Sequence, residues 1–146
     1  MSDKEIERFM DIALNEAKKA YKMGEIPIGA IIVKNGEVIA KGYNKRERSK
    51  NATHHAEILA ITKACKKLNN WRLGDCDIFV TVEPCLMCMG ALYNARVKSL
   101  YYGCENKSNG EFQIDKSKPI QNHYLEIYGG VKEGECRELM SKFFRK

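Results

Sequence analysis

The sequence predicts a three-layer α/β domain in which a mixed sheet is covered by helices on both faces. Three observations carry that expectation. Apolar residues recur at helical intervals near both ends of the chain, an Asn-Gly pair joins two strand-like runs, and further strand-like runs alternate with helical patterns across long connections. With 146 residues the chain is long enough for one sizeable core and short for two, so residues 1–146 are expected to form a single domain.

The elements follow in order. Ser2 and Glu5 have capping-box spacing, and Ile6, Phe9, Met10, Ala13, Ala17, Ala20 and Tyr21 mark one face of an opening helix that Gly24 ends. Ile28 to Lys34 and Glu37 to Tyr43 read as strands, and Asn35-Gly36 between them tolerates the positive φ angles of a two-residue hairpin turn. A second helix starts at His55, with Thr53 as its expected cap, and runs through Ile58, Ile61, Cys65 and Leu68. Asp77 to Val82 is a short buried strand, and Pro84 is expected to open a third helix. Val97 to Gly103 and Tyr124 to Tyr128 are the fourth and fifth strands, separated by an aperiodic stretch from Cys104 to Asn122. Cys136, Leu139, Met140 and Phe143 form the buried stripe of a closing helix.

Composition narrows the function classes. Hydrophobic residues make up 44% and charged residues 30%, the balance of an ordinary globular protein. The longest apolar run, Ile26 to Val33, is far short of a membrane span, and the first residues lack a signal-peptide layout, so a cytoplasmic protein is expected. There, the six cysteines point to metal binding in preference to disulfides. A net charge of +6, from 25 basic and 19 acidic residues, permits attraction to polyanions and is modest for a dedicated nucleic-acid binder.

Only Cys85 and Cys88 are closely spaced. At the start of a helix both thiolates gain from the dipole and the free N–H groups, which suits zinc. An isolated pair of this kind also fits buried apolar cysteines, a redox couple or half of a structural zinc site. His55-Ala56-Glu57 shifts the balance by offering a third ligand and a carboxylate. Residues two apart face different sides of a helix, so this reading requires the helix axis to point at the site, where first-turn side chains converge. Three ligands leave the open position of a catalytic zinc, whereas a structural site closes with four. His54, Cys76, Cys104 and His123 are the remaining candidates for a fourth, none at a familiar ligand spacing. With zinc to acidify a water and Glu57 to carry its proton, both halves of a hydrolysis are supplied.

The combination of H-x-E with P-C-x-x-C is a signature of zinc nucleobase deaminases. More of the chain shares a pattern: Glu25-Ile26-Pro27-Ile28-Gly29-Ala30, Gly42-Tyr43-Asn44, Thr53-His54-His55-Ala56-Glu57-Ile58, Thr81-Val82-Glu83-Pro84-Cys85-Leu86-Met87-Cys88, Asn122-His123 and Phe143-Phe144-Arg145. Together these resemble the bacterial tRNA-specific adenosine deaminases, which convert the wobble adenosine of an anticodon to inosine. The resemblance implies a cytidine-deaminase-like fold with a five-stranded sheet and one zinc ion per chain. It also implies a homodimer with active sites near the subunit interface, and a tRNA anticodon stem-loop as partner. It places Asn44 against the flipped-out base, with Ile28 and the backbone of Ala56 lining the pocket. Asparagine at a strand end is by itself equally a turn former.

Two segments depart from the family pattern. Lys107-Ser108-Asn109-Gly110-Glu111-Phe112 stands where a Gly-Ala-Ala-Gly-Ser type stretch is usual, and Ala52 replaces a proline. The first lies near substrate entry, which keeps open a deaminase of free cytosine or guanine. For RNA, Arg46 and Arg48 in the basic run after Asn44, with Phe144 and Arg145 in the tail ending at Lys146, are candidate contacts, through phosphate pairing and base stacking. Surface cations are more often merely solvated, and Phe143 fits the core stripe. A non-catalytic zinc protein that binds RNA is the third alternative.

Overall fold

The structure is a computed structural model and describes residues 1–111 and 114–145. Phe112, in the unusual loop, and Lys146, in the basic tail, lie outside the described residues. Helix α1 (Asp3–Lys22) opens with the expected capping box: Ser2 accepts from the backbone of Glu5, whose side chain accepts from the Ser2 backbone. Strands β1 (Gly29–Lys34) and β2 (Glu37–Tyr43) form the hairpin. Its turn has φ of 52° at Asn35 and 75° at Gly36, the signs a type I′ connection requires.

A four-residue turn of helix, α2 (Arg46–Ser49), follows β2 and was not anticipated from the sequence. It is too short to show a period. Helix α3 (Ala56–Leu68), strand β3 (Cys76–Val82), helix α4 (Leu86–Asn94) and strand β4 (Ser99–Cys104) come next. A single 3₁₀ turn (Lys107–Asn109), strand β5 (Glu126–Tyr128) and helix α5 (Glu133–Phe144) complete the order.

Two helix starts differ from expectation. His55 itself occupies the cap position of α3, while the Thr53 hydroxyl lies 2.7 Å from the Asn51 side-chain oxygen. Asn51, two residues back, offers an acceptor that satisfies the threonine locally. Likewise Cys85 caps α4, which leaves Pro84 outside the helix. The fifth strand is three residues long and the fourth begins at Ser99, so both are shorter than their apolar runs.

The five strands form one mixed sheet in the order β2-β1-β3-β4-β5. Strand β1 is antiparallel to β2 and to β3, whereas β3, β4 and β5 run parallel. Parallel neighbours need a crossover, and α4 supplies it between β3 and β4. On one face α1 and α5 pack through Phe9, Met10, Ala13 and Cys136 against Ile31, Val33, Phe79 and Val82. On the other, α3 and α4 pack through Ala56, Ala60, Ala64, Leu92 and Tyr93 against Ile32, Ile78, Val80 and Leu100.

Alanines at i, i+4 and i+8 give α3 a flat face, and Gly42 of β2 lets it come closer still. A Cβ at Gly42 would lie 2.5 Å from the Ala56 carbonyl oxygen and 2.9 Å from the Ala60 nitrogen. Backbone contact at that range requires glycine. The start of α3 is therefore fixed against the sheet by the strand beneath it. Among the described residues no helix is long and apolar enough to cross a membrane.

Candidate active site

The carboxyl ends of β3 and β4 lie in register at Val82 and Cys104, beside the start of β1 and the end of β2. In an open α/β sheet a crevice forms outside such strand ends, where the connections diverge. Here a cavity of about 660 Å³ opens there, lined by Ile28, Asn44, Ala56, Glu57, Val82 and Cys104 among others.

Two helices start at this cavity. His55 caps α3 and Cys85 caps α4, and neither side chain makes the usual capping hydrogen bond. Both are thereby free to face each other, and the amide ends of both helices point at the same place, which favours negative charge there. The His55 Nδ1 atom lies 3.7 Å from Cys85 Sγ and 3.6 Å from Cys88 Sγ, and all three ligand atoms lie within 4.8 Å of one another. Bond lengths of about 2.0–2.1 Å to nitrogen and about 2.3 Å to sulfur at a tetrahedral centre put the donor atoms about 3.6 Å apart. The donor set and its spacing therefore fit zinc.

Among the described residues this is the one such cluster. His54, Cys76, Cys104 and His123 are not part of it. His123 Nε2 lies 2.6 Å from the Val97 carbonyl and its ring meets Tyr93 edge-on, a structural role. His54 Nδ1 is buried without a hydrogen-bond partner, and His54 is not among the residues lining the cavity.

The electrostatics match a cation-binding ligand set. A hydrogen bond from the Cys88 thiol, then one from His55, holds Cys85 down to about 3. Cys88 is pushed far up because it donates to the Cys85 sulfur, with burial adding to the effect. The contact with Cys85 raises His55. Glu57, only 3% exposed, is pushed up to about 7 by burial. A carboxyl poised near neutrality is what a proton carrier needs.

His55 is the cap and Glu57 a first-turn residue of α3, and both reach the cavity, the placement that H-x-E requires. Ile28, Asn44 and Ala56 line it as well, as do Arg46 and Phe144. Arg48 and Arg145 do not, and Arg145 is paired with Glu138 at 2.9 Å. Asn44 ties the turn together, for its Oδ1 accepts from Arg46 N at 3.1 Å and its Nδ2 donates to Ile26 O at 3.2 Å, and it also lies on the cavity wall.

Sequence reasoning assigned no role to Glu83 or Arg137, which also line the cavity, as does Lys107 of the segment expected near substrate entry. Glu83 Oε1 accepts from Asn106 N at 3.2 Å, tying the loop after β4 to the segment that bears the cysteines. Its place in Val82-Glu83-Pro84 was the available signal. Arg137 arrives from a helix remote in sequence, and no local pattern marks it.

The cytidine and deoxycytidylate deaminase zinc-binding region matches residues 3–104, a span that includes His55, Glu57, Cys85 and Cys88. The chain belongs to this zinc-binding deaminase family. A relative within this deaminase group is the tRNA-specific adenosine deaminase of Streptococcus pyogenes serotype M18 (strain MGAS8232), 43% identical over 94% of this chain and 89% of the relative. A solved structure from a study of A-to-I editing by tRNA:A34 deaminases is 40% identical, with a TM-score of 0.84 over 90% of this chain and 98% of the other. The guanine deaminase of Bacillus subtilis is 39% identical, with a TM-score of 0.67 over 84% of this chain and 83% of the other. The cytidine-deaminase-like fold, deaminase chemistry and zinc dependence read from the sequence agree with these deaminases.

Proposed function

We propose that this chain deaminates the wobble adenosine of a tRNA anticodon loop to inosine, with zinc held by His55, Cys85 and Cys88. The observation that carries the chemistry is the spacing of those three ligand atoms beside buried Glu57 in one cavity. The choice of tRNA is supported by similarity to the streptococcal relative and to the structure from the A-to-I editing study.

Bound zinc supplies a Lewis acid that activates water near neutral pH. Glu57 takes the water's proton on its carboxylate and delivers it to N1 of the adenine ring as the oxygen adds at C6. It then takes the remaining proton from the added hydroxyl and passes it to the C6 amino group, which leaves as ammonia, so that the added oxygen remains as the carbonyl of inosine. Asn44, Ile28 and the Ala56 backbone hold the base, and Arg46 and Phe144 at the cavity, with Arg48 and Arg145 beyond it, are assigned to RNA.

The same reading takes residues 1–146 as one domain and the protein as cytoplasmic and homodimeric. Leu86, 59% exposed, and Met87 stand in the first turn of α4 beside Cys85 and offer an apolar surface for a second copy. Sedimentation velocity checks the dimer.

The 39% identity to a guanine deaminase favours a second reading, a free-base enzyme. Deamination of an anticodon stem-loop, compared with free guanine and cytosine at low and moderate salt, decides between them. The tRNA reading expects inosine in the stem-loop and affinity that falls as salt rises. Activity on a free base, with none on the stem-loop at either salt, refutes it. Zinc without ammonia release from any substrate would leave the non-catalytic RNA-binding alternative.

A further inference from the structure

Glu25 is 2% exposed, yet its carboxylate has no part in the zinc cluster and does not line the cavity. Its two oxygens accept backbone N–H groups on α2: Oε1 from Glu47 at 3.1 Å and Oε2 from Arg48 at 2.6 Å. These are the second and third residues of that helix, whose amides an N-cap side chain normally satisfies. The residue in the cap position is Lys45, which makes no side-chain capping bond, because an ammonium has no acceptor to give. Glu25 thus caps α2 from twenty residues upstream, and charge on the acceptor makes both bonds stronger than neutral ones.

The capped turn is attached to the cavity wall. Asn44 Nδ2 donates to Ile26 O, Asn44 Oδ1 accepts from Arg46 N, and the Asn44 backbone donates to Ile28 O at 3.0 Å. With Arg46 N–H a donor and Ile26 C=O an acceptor, the orientation of the Asn44 amide is set. One amide hydrogen and one oxygen lone pair remain for a ligand. The segments 25–28 and 44–48 are stitched together by these bonds, and both Asn44 and Arg46 line the cavity.

We propose that Glu25 is a positioning residue: by capping α2 from outside, it fixes Asn44 and Arg46 at the cavity wall and so sets how tightly the target nucleotide is held. This rests on the reading of the cavity as a nucleotide site. Glu25 is remote from the proton transfer, so its loss is expected in binding more than in turnover.

The test is Glu25→Gln in the zinc-loaded protein, at a temperature where circular dichroism shows it folded. The amide keeps the shape but sets its NH₂ against one of the two backbone donors. Full zinc content, a KM for the anticodon stem-loop raised roughly tenfold and a kcat within about threefold of wild type are expected. Amide exchange at Glu47 and Arg48 should accelerate while that of α3 is unchanged. If Glu25→Gln does not fold, Glu25→Asp, which keeps both acceptors on a shorter arm, carries the same measurements. A folded variant with unchanged KM, or with unchanged exchange at Glu47 and Arg48, overturns the proposal. Should the wild-type protein act on guanine or cytosine and not on the stem-loop, the tRNA reading fails, and the same KM comparison on that base decides the role of Glu25.

Discussion

Gly42→Ala offers a direct way to ask whether the strand under α3 positions the chemistry. The new methyl group would sit 2.5 Å from the Ala56 carbonyl oxygen, and relaxing that contact to 3.4 Å moves the helix start by about 0.9 Å. Ala56 lies between His55 and Glu57, so the displacement reaches both. Metal–ligand distances tolerate about 0.2 Å, and a misplacement of about 1 Å at a reacting group costs on the order of 100-fold in rate. Overpacking should cost about 1–3 kcal/mol of stability, offset in part by about 0.4–1 kcal/mol from the stiffer unfolded chain. The expected result is a folded protein with a modestly lower Tm, weaker zinc retention against a chelator and deamination reduced about 100-fold. Gly74→Ala, where a Cβ meets nothing within 4 Å, is the control and should match the wild type. A Gly42→Ala protein with zinc affinity and turnover within about twofold of wild type would refute the argument.

Three further outcomes are expected. Cys85→Ala and Cys88→Ala should each lose zinc and activity together, because two ligands do not hold the ion, and normal metal content in either variant would overturn the ligand assignment. Glu57→Gln should keep zinc and fold while turnover falls roughly 10²–10⁴-fold, and a rate above about one tenth of wild type would remove Glu57 from proton transfer. In the metal-free protein the Cys88 proton is held far above its usual range, so zinc binding at pH 7 must release it and affinity must rise with pH. Calorimetry in buffers of different ionisation enthalpy measures this, and binding without proton release would contradict the shared-proton pair.

Much of the site was readable in the residues because its parts are local. The pairs His55/Glu57 and Cys85/Cys88 are each confined to a single helix start, and the Asn35-Gly36 turn and the Ser2 cap depend only on their neighbours. What the sequence hid depends on distant contact. Thr53 has the composition of a cap, but a nearer acceptor on Asn51 takes its hydroxyl, and the cap position goes to the metal ligand. The turn Arg46–Ser49 has no apolar face, and two of its amides are capped by Glu25, a residue that pattern reading places in a loop. Arg137 meets the cavity only after the sheet has ordered its strands.

The hairpin between β1 and β2 also has a practical use. Ile28 and Asn44, at its open end, line the cavity, whereas Asn35 and Gly36 close it at the other end of a six-residue strand. At about 3.3 Å per residue the turn stands about 20 Å from the substrate's entrance. A fluorophore, affinity handle or second protein module spliced in there would point away from the incoming nucleotide. The turn is thus a natural fusion port for tethering the deaminase to other machinery without obstructing its catalytic mouth.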